Sequence, residues 1–121
     1  MVRKIATVAI YVEDQEAAER FWIDKLGFDI SKKLPMGPKA YWIELGPKGA
    51  ESYITLFPKF MMPDWNERKP SLVFETEDIQ TTYEELKAKG VDIDPPKEMG
   101  FGIFTQFRDI DGNQFGLRQH K

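Results

Sequence analysis

The chain has 121 residues, of which 41% are hydrophobic and 31% are charged, so it can form one compact domain with its own core. Its formal net charge of −3 argues against a nucleic-acid partner, because nucleic-acid binding needs a concentrated basic surface. The chain has no cysteine and a single histidine, His120, which excludes disulfides, thiolate chemistry and most histidine-based catalysis.

The chain begins with an apolar run, residues 5–12, that follows Arg3 and Lys4 and superficially resembles a secretion signal. The run is short and continues directly into Glu13-Asp14-Gln15-Glu16 without a small-residue cleavage site. We therefore predict a buried β-strand here and a cytoplasmic protein. No run in the sequence approaches the roughly 20 apolar residues of a membrane span, so we expect no membrane partner.

The sequence resembles itself at a spacing of about 64 residues, which indicates an internal repeat. Residues 7–14 align with residues 71–78, and both segments end in a carboxylate that can cap a helix. With one gap, four further positions align as well: Lys25, Gly27, Asp29 and Ile30 with Lys89, Gly90, Asp92 and Ile93. The repeat predicts two copies of one supersecondary unit.

Each copy contains one predicted amphipathic helix. Asp14 and Asp78 are suitable N-caps, and Gly27 and Gly90 follow the helices, as residues in the left-handed C′ conformation do. The apolar stripes are Ala17, Ala18, Phe21, Trp22 and Leu26 in the first helix, and Ile79, Thr82, Tyr83 and Leu86 in the second. Because each helix has one apolar face, we expect each to cover one face of a sheet.

Predicted strands and turns follow each helix. In the first copy, strands are expected at residues 27–33, 40–45 and 52–57, separated by turns at 35–38 and 46–49. In the second copy, strands are expected at 91–94, 101–107 and 114–119, separated by Pro95-Pro96 and by a turn at 109–113.

The order of these elements predicts an α+β domain, residues 1–121, made of two tandem β-α-β-β-β modules. Module 1 covers about residues 3–57, a polar linker covers 58–70, and module 2 covers about 71–119. A single module would expose an apolar sheet, so we expect the two modules to pair, either within one chain or across a dimer.

Three segments, taken in order, resemble the vicinal oxygen chelate superfamily, which includes glyoxalase I, bleomycin-resistance proteins and extradiol dioxygenases. They are residues 7–14, residues 21–28 with Phe21-Trp22 and Lys25-Leu26-Gly27-Phe28, and residues 107–113. The last segment resembles the family's Asp-Pro-Asp-Gly-Asn turn, with Ile110 in place of proline. The resemblance implies a curved mixed sheet around a cup-shaped cavity, on which many different chemistries are found.

The resemblance also implies where metal ligands would lie, and those positions hold Thr7, Thr55, Ser71 and Gly116. Three neutral hydroxyls and a glycine cannot supply the imidazole nitrogens and carboxylate oxygens that hold a catalytic divalent cation. We therefore predict neither a metal nor another cofactor. The candidates for relocated ligands are Glu44, Glu75, Gln106 and His120. We interpret Glu44 as an ordinary outward-facing residue, Glu75 as a strand-end carboxylate beside solvent, and His120 as part of a frayed tail.

Alternation along the predicted strands, combined with the resemblance, indicates which side chains line the cavity. The expected ligand-binding residues are Thr7, Tyr11, Trp42, Tyr53, Thr55, Phe57, Trp65, Ser71, Glu75 and Arg118. Trp65 is included because it lies in a polar segment, where a ring either covers the cleft or contacts a partner chain. The rings of Phe60, Phe101 and Phe104 are expected mainly to pack against neighbouring side chains.

The leading hypothesis is a homodimer that binds or sequesters a small aromatic or cationic organic molecule without a metal, as the bleomycin-resistance proteins do. One alternative is a glyoxalase-like lyase, isomerase or dioxygenase that uses relocated metal ligands. A metal-free variant of that alternative is acid–base chemistry of Glu75, a weak candidate catalytic residue, with Tyr11 or Tyr53. A third possibility is an interaction module whose cavity is filled by its own side chains.

Overall fold

The chain divides into two compact units, Met1–Pro70 and a second that begins at Ser71. The computed structural model describes residues 1–100 and 102–120, the last of these without its side chain. Each unit contains its own helix and its own sheet.

The first unit contains four strands and one α-helix in the order β1 (Thr7–Val12), α1 (Gln15–Arg20), β2 (Asp29–Gly37), β3 (Ala40–Gly46) and β4 (Tyr53–Pro58). The strand order in the sheet is β1-β4-β3-β2, with β1 and β4 parallel and the other neighbours antiparallel. A π-helical turn, Phe21–Lys25, extends α1, and two 3₁₀ turns, Lys59–Met61 and Trp65–Glu67, follow β4.

The second unit repeats this topology with β5 (Val73–Glu75), α2 (Ile79–Ala88), β6 (Asp92–Ile93), β7 (Lys97–Met99), β8 (Gly102–Arg108) and β9 (Gln114–His120). The strand order is β5-β9-β8-β6, with β5 and β9 parallel, and β7 also pairs with β8. The predicted α+β class is confirmed, with the mixed strands in two sheets, one in each unit.

Both helices begin at the predicted aspartate caps. The Oδ1 atom of Asp14 accepts a hydrogen bond from the backbone N–H of Ala17 at 3.1 Å, and Oδ1 of Asp78 accepts one from Thr81 at 3.1 Å. Each carboxylate thereby satisfies one of the amide groups that the first helical turn leaves without an internal partner. The backbone hydrogen bonds lower the pKa of Asp78.

Both helices also end at the predicted glycines, Gly27 at φ 73° and Gly90 at φ 84°. After α2 the amide of Val91 bonds to the carbonyl of Leu86, five residues earlier, as in a Schellman motif. After α1 the corresponding amide, that of Phe28, reaches the carbonyl of Trp22, six residues earlier, because the π-helical turn is one residue wider.

The apolar faces of sheet and helix meet in the core of each unit. The fully or nearly fully buried core side chains of the first unit include Ile10, Val12, Ala18, Phe21, Trp22, Phe28, Ile43, Leu45, Ile54 and Leu56. Those of the second unit include Ile79, Leu86, Val91, Ile93, Phe107, Phe115 and Leu117. The alternate residues of the central strands point to the opposite face, which no helix of the same unit covers.

One predicted turn and one predicted strand differ from the structure. The predicted turn at 35–38 is wrong, because β2 continues through Pro35 to Gly37 and the chain reverses at Pro38 and Lys39. Proline is tolerated here because β2 is the edge strand of its sheet. In the second unit, the strand predicted at 91–94 is shorter, and a further strand, β7, follows the proline pair.

Among the residues that the model describes, no helix is long and apolar enough to cross a membrane.

Candidate functional site

The face of the first sheet that α1 does not cover brings together several of the predicted ligand-binding residues. In the register of the sheet, Thr55 on β4 lies beside Ala9 on β1 and Glu44 on β3. Tyr11 lies beside Phe57 in the same way. We call the set formed by Tyr11, Trp42, Glu44, Thr55 and Phe57 the aromatic face.

Three rings of the aromatic face are in edge-to-face contact. The centroids of Tyr11 and Phe57 are 6.0 Å apart with an interplanar angle of 76°, and those of Trp42 and Phe57 are 6.4 Å apart with an angle of 81°. Edge-to-face pairs of this kind hold aromatic rings in fixed orientations. Trp42 and Phe57 are half-buried, so part of each ring remains accessible on this face.

Glu44 belongs to this face, and its interpretation as an ordinary outward-facing residue was wrong. Its side chain is half-buried, and its Oε2 atom accepts a hydrogen bond of 2.7 Å from the indole Nε1–H of Trp42. The signal was present in the sequence: Trp42 and Glu44 are two residues apart, and Ile43 and Leu45 are the apolar positions between and after them. Since Trp42 was predicted to line the cavity, period-two alternation required Glu44 to line it too.

Thr55 occupies the centre of the aromatic face. Its side chain is 0% exposed, and its hydroxyl has no hydrogen-bond partner among the residues that the model describes. A buried hydroxyl without a partner is destabilising, so Thr55 holds donor and acceptor capacity that the rest of its unit does not use.

Thr7 and Tyr53 form the next pair along the same two strands, and both are half-buried. The ring of Tyr53 packs over Gly46, where an added Cβ atom would lie 3.1 Å from the ring. A larger residue at Gly46 would therefore displace the tyrosine. The structure thus places Thr7, Tyr11, Trp42, Tyr53, Thr55 and Phe57 on one face of one sheet.

The predicted residues of the second unit lie on its own uncovered face, which is more polar. Glu75 and Arg118 are register neighbours, and the Arg118 Nη2 atom lies 3.2 Å from the Glu75 carboxylate. Their side chains are 57% and 41% exposed, so Glu75 is a solvated, ion-paired strand-end carboxylate. Ser71 is exposed and precedes β5. Gly116 faces Val73 across the parallel strand pair.

Trp65 is not a member of the aromatic face and lies in the second 3₁₀ turn after β4. The Nζ atom of Lys59 is 4.1 Å from the centroid of its ring and 3.9 Å from the Glu13 carboxylate. Trp65, Lys59, Glu13 and Phe60 line a cavity of about 260 Å³. The ring is therefore half-buried against its own unit by a cation–π contact.

The residues at the implied metal positions do not fit a divalent cation. Thr7, Thr55 and Ser71 offer neutral hydroxyl oxygens, and Gly116 offers no side-chain donor at all. Within the described residues, no group of three histidine, cysteine, aspartate or glutamate side chains lies close enough together to hold a metal ion. The side chain of His120 and the whole of Phe101 lie outside the described residues.

The repeated β-α-β-β-β topology defines the class of protein, since two such units in tandem are the hallmark of the vicinal oxygen chelate fold. A model of the Glyoxalase/Bleomycin resistance protein/Dioxygenase superfamily matches residues 4–117. The chain belongs to this superfamily, and the resemblance read from the sequence is confirmed.

Relatives and solved structures agree with this assignment. An uncharacterized protein of Bacillus subtilis (strain 168), YetH, is 50% identical over 120 residues, which cover 98% of this chain and 100% of the relative. A superfamily member from Sphaerobacter thermophilus DSM 20745 is similar in structure with a TM-score of 0.90, at 28% identity and 98% coverage of both chains. TnmS3, an antibiotic binding protein from Streptomyces sp. CB03234, has a TM-score of 0.85 at 30% identity and covers 99% of this chain and 98% of its own.

Proposed function

We propose that the protein binds a small aromatic or cationic organic molecule on the aromatic face of its first unit, without a metal ion and without transforming the ligand. The observation that carries this proposal is a row of three contacting rings, one of which bonds to a half-buried carboxylate, on a sheet face that the helix of the same unit does not cover. Ligand sites of this kind are mostly apolar, with a few polar groups that fix orientation.

The geometry of the rings supports a planar ligand. The edge-to-face contacts hold Phe57 at a steep angle to both Tyr11 and Trp42, so the rings do not collapse flat against one another. A planar ligand that stacks on one ring and meets the edge of another would continue the same pattern of contacts.

The comparisons support ligand binding at the level of the superfamily. TnmS3 is similar to this chain over its whole length, and its name describes it as an antibiotic binding protein. The neutral residues at the implied metal positions support binding over metal-dependent catalysis. The acid–base alternative has weaker support, because Glu75 is exposed and paired with Arg118.

A fluorescence and calorimetric titration tests the proposal. Wild type is titrated with a panel of planar aromatic compounds, some neutral and some cationic, and compared with Trp42→Ala and Trp65→Ala. Trp65 is a matched control, because it is also a half-buried tryptophan of the first unit but lies outside the aromatic face. We expect Trp42→Ala to lose about tenfold in affinity or more, and Trp65→Ala to bind as wild type does.

The opposite pattern, with binding lost in Trp65→Ala and retained in Trp42→Ala, would place the ligand elsewhere and contradict the proposal. Because removal of Trp42 also removes the indole that bonds to Glu44, Trp42→Phe is a second variant that retains a ring. Circular dichroism and thermal melting of each variant show whether the fold is intact.

We also propose that the protein acts as a homodimer in the cytoplasm. Support for a partner surface comes from β2, an edge strand on which Leu34 is 53% exposed beside Trp42 in the register of the sheet. An exposed apolar residue on an open edge is a common feature of strands that meet another chain. Light scattering coupled to size-exclusion chromatography measures the oligomeric state directly.

A further inference from the structure

We infer that Glu44 selects the charge of the ligand, so that the aromatic face binds molecules that carry a cationic nitrogen on or beside an aromatic ring. This inference rests on the proposed function and narrows it, because it requires the ring and the positive charge in the same molecule. The inference gives a role in ligand selection to Glu44, which the sequence analysis interpreted as an ordinary outward-facing residue.

The first argument is the position of the carboxylate. Glu44 is half-buried between Thr55 on β4 and Lys32 on β2, next to the rings of the aromatic face. A carboxylate that gives up part of its hydration at a site of low polarity interacts more strongly with a cation than one in bulk water does.

The second argument is that one hydrogen bond fixes the Glu44 carboxylate while the described residues leave most of its acceptor positions unused. The indole of Trp42 bonds to Oε2 at 2.7 Å, which is the short distance typical of a charge-assisted hydrogen bond. Within the described part of the chain this is the hydrogen bond that Glu44 makes, although a carboxylate can accept about four. The remaining acceptor capacity of a fixed carboxylate suits the N–H or the positive charge of a ligand.

The third argument is the chemistry of the surrounding groups. The faces of Tyr11, Trp42 and Phe57 carry the negative side of the ring quadrupole, which attracts cations as Glu44 does. Two cations oppose these groups. Lys32 on β2 is exposed, and no ion pair links it to Glu44 in the described structure. Arg68 interacts with Tyr11, but it is also exposed and is paired with Asp64 at 3.0 Å.

Three probes of nearly the same ring system separate charge from shape: N-methylquinolinium, a permanent cation; 2-methylquinoline, neutral at about pH 8; and quinoline-2-carboxylate, an anion. Each is titrated into wild type, Glu44→Gln and Glu51→Gln. The glutamine at position 44 keeps an oxygen for the Trp42 indole and removes only the charge. Glu51 is an exposed carboxylate of the same unit and controls for the change in net charge.

We expect wild type and Glu51→Gln to bind the cation about tenfold more tightly than the neutral probe, and the anion least tightly. In Glu44→Gln the preference for the cation over the neutral probe should fall to about twofold or less, because the charge that attracts the cation is removed. In wild type the preference should also shrink at about 0.5 M salt, because salt screens the charge interaction.

The outcomes distinguish the inference from the function on which it rests. If the cation and the neutral probe bind wild type equally well, and salt and Glu44→Gln change neither, the inference is wrong while the proposed function stands. If none of the three probes binds at millimolar concentration, the proposed function itself is contradicted. Should Glu44→Gln fail to fold, the salt dependence of the cation preference in wild type still tests the inference, because a preference that does not shrink at about 0.5 M salt contradicts it.

Discussion

The two units place opposite chemistry on the sheet faces that their own helices leave uncovered. In the first unit this face carries a row of three rings, one of which bonds to a half-buried carboxylate. In the second it carries ion pairs: Arg118 with Glu75, and Arg108 with Asp94. The topology, the aspartate caps and the terminal glycines are shared, so the difference lies in the side chains that point away from the cores.

The contrast is one of polarity. Exposed ion pairs contribute little to stability and leave a polar surface, whereas half-buried rings beside a carboxylate leave a more apolar surface, on which we propose that the ligand binds. The two units also differ at one turn. In the second unit the turn between β8 and β9 contains a buried aspartate. The first unit closes the corresponding turn between β3 and β4 with a backbone bond from Ala50 to Pro47.

The largest expected effect concerns that buried aspartate, Asp109. Its Oδ1 atom accepts hydrogen bonds from the amides of Asp111 at 3.0 Å and Asn113 at 2.8 Å, and its Oδ2 atom accepts one of 2.9 Å from the Asn113 side chain. Burial raises the pKa of Asp109, and the bonds from Asn113 partly oppose that rise. We expect Asp109→Ala to lower the free energy of unfolding by about 2 kcal/mol, because three donors lose their acceptor.

Urea denaturation measures this loss, and Ile110→Ala is its control. Ile110 lies in the same turn but is 54% exposed, so its truncation should change stability by less than about 0.5 kcal/mol. Equal effects of the two substitutions would show that the aspartate does not brace the turn and that the two units close their turns in equivalent ways.

Much of this architecture was predictable from the sequence, because it depends on local rules. Asp14 and Asp78 cap the helices, and Gly27 and Gly90 end them, since few other residue types satisfy those positions. The two-unit repeat was predicted from the alignment of residues 7–14 with 71–78 and of four positions that follow.

The remaining features depend on contacts that are distant in sequence. The sequence of the π-helical turn, Phe21–Lys25, is equally compatible with an ordinary α-helix. In the structure the turn places Trp22 fully buried against Phe28. Irregular pairing of β2 with β3 between Ile30 and Lys32 determines which face each later side chain of β2 occupies. Within the site, alternation grouped Thr7 with Tyr11 on one strand and placed Tyr53, Thr55 and Phe57 together on another. The hydrogen bond between Glu44 and the Trp42 indole became visible only in the structure.

A second prediction sharpens the description of the aromatic face through Lys32, which lies opposite Glu44 on β2. Its positive charge opposes a cationic ligand, so Lys32→Gln should raise the affinity for N-methylquinolinium by about twofold, as expected for an exposed charge several ångströms away. Lys33→Gln is the matched control, because Lys33 points to the other face, where its Nζ atom lies 2.7 Å from Glu19. A rise in affinity in Lys33→Gln alone would reverse the assignment of the two faces.

The smallest expected effect is the pH dependence contributed by the second unit. The Arg108 guanidinium makes two parallel hydrogen bonds to Asp94, of 2.9 and 3.1 Å, and these bonds hold the pKa of Asp94 below its usual value. A carboxyl whose pKa is lower in the folded state stabilises the protein above its ordinary pKa, and this contribution is lost as the pH falls through the folded-state value. Asp94→Asn should therefore lower the urea midpoint at neutral pH, and its difference from wild type should shrink as the pH falls toward about 3.

Asp92→Asn is the control. Asp92 contacts the same guanidinium at 3.5 Å with a side chain that is 76% exposed, so this substitution should shift the midpoint less at neutral pH. A difference between Asp94→Asn and wild type that is the same at every pH would show that this ion pair is solvated and that its geometry contributes nothing to the stability of the second unit.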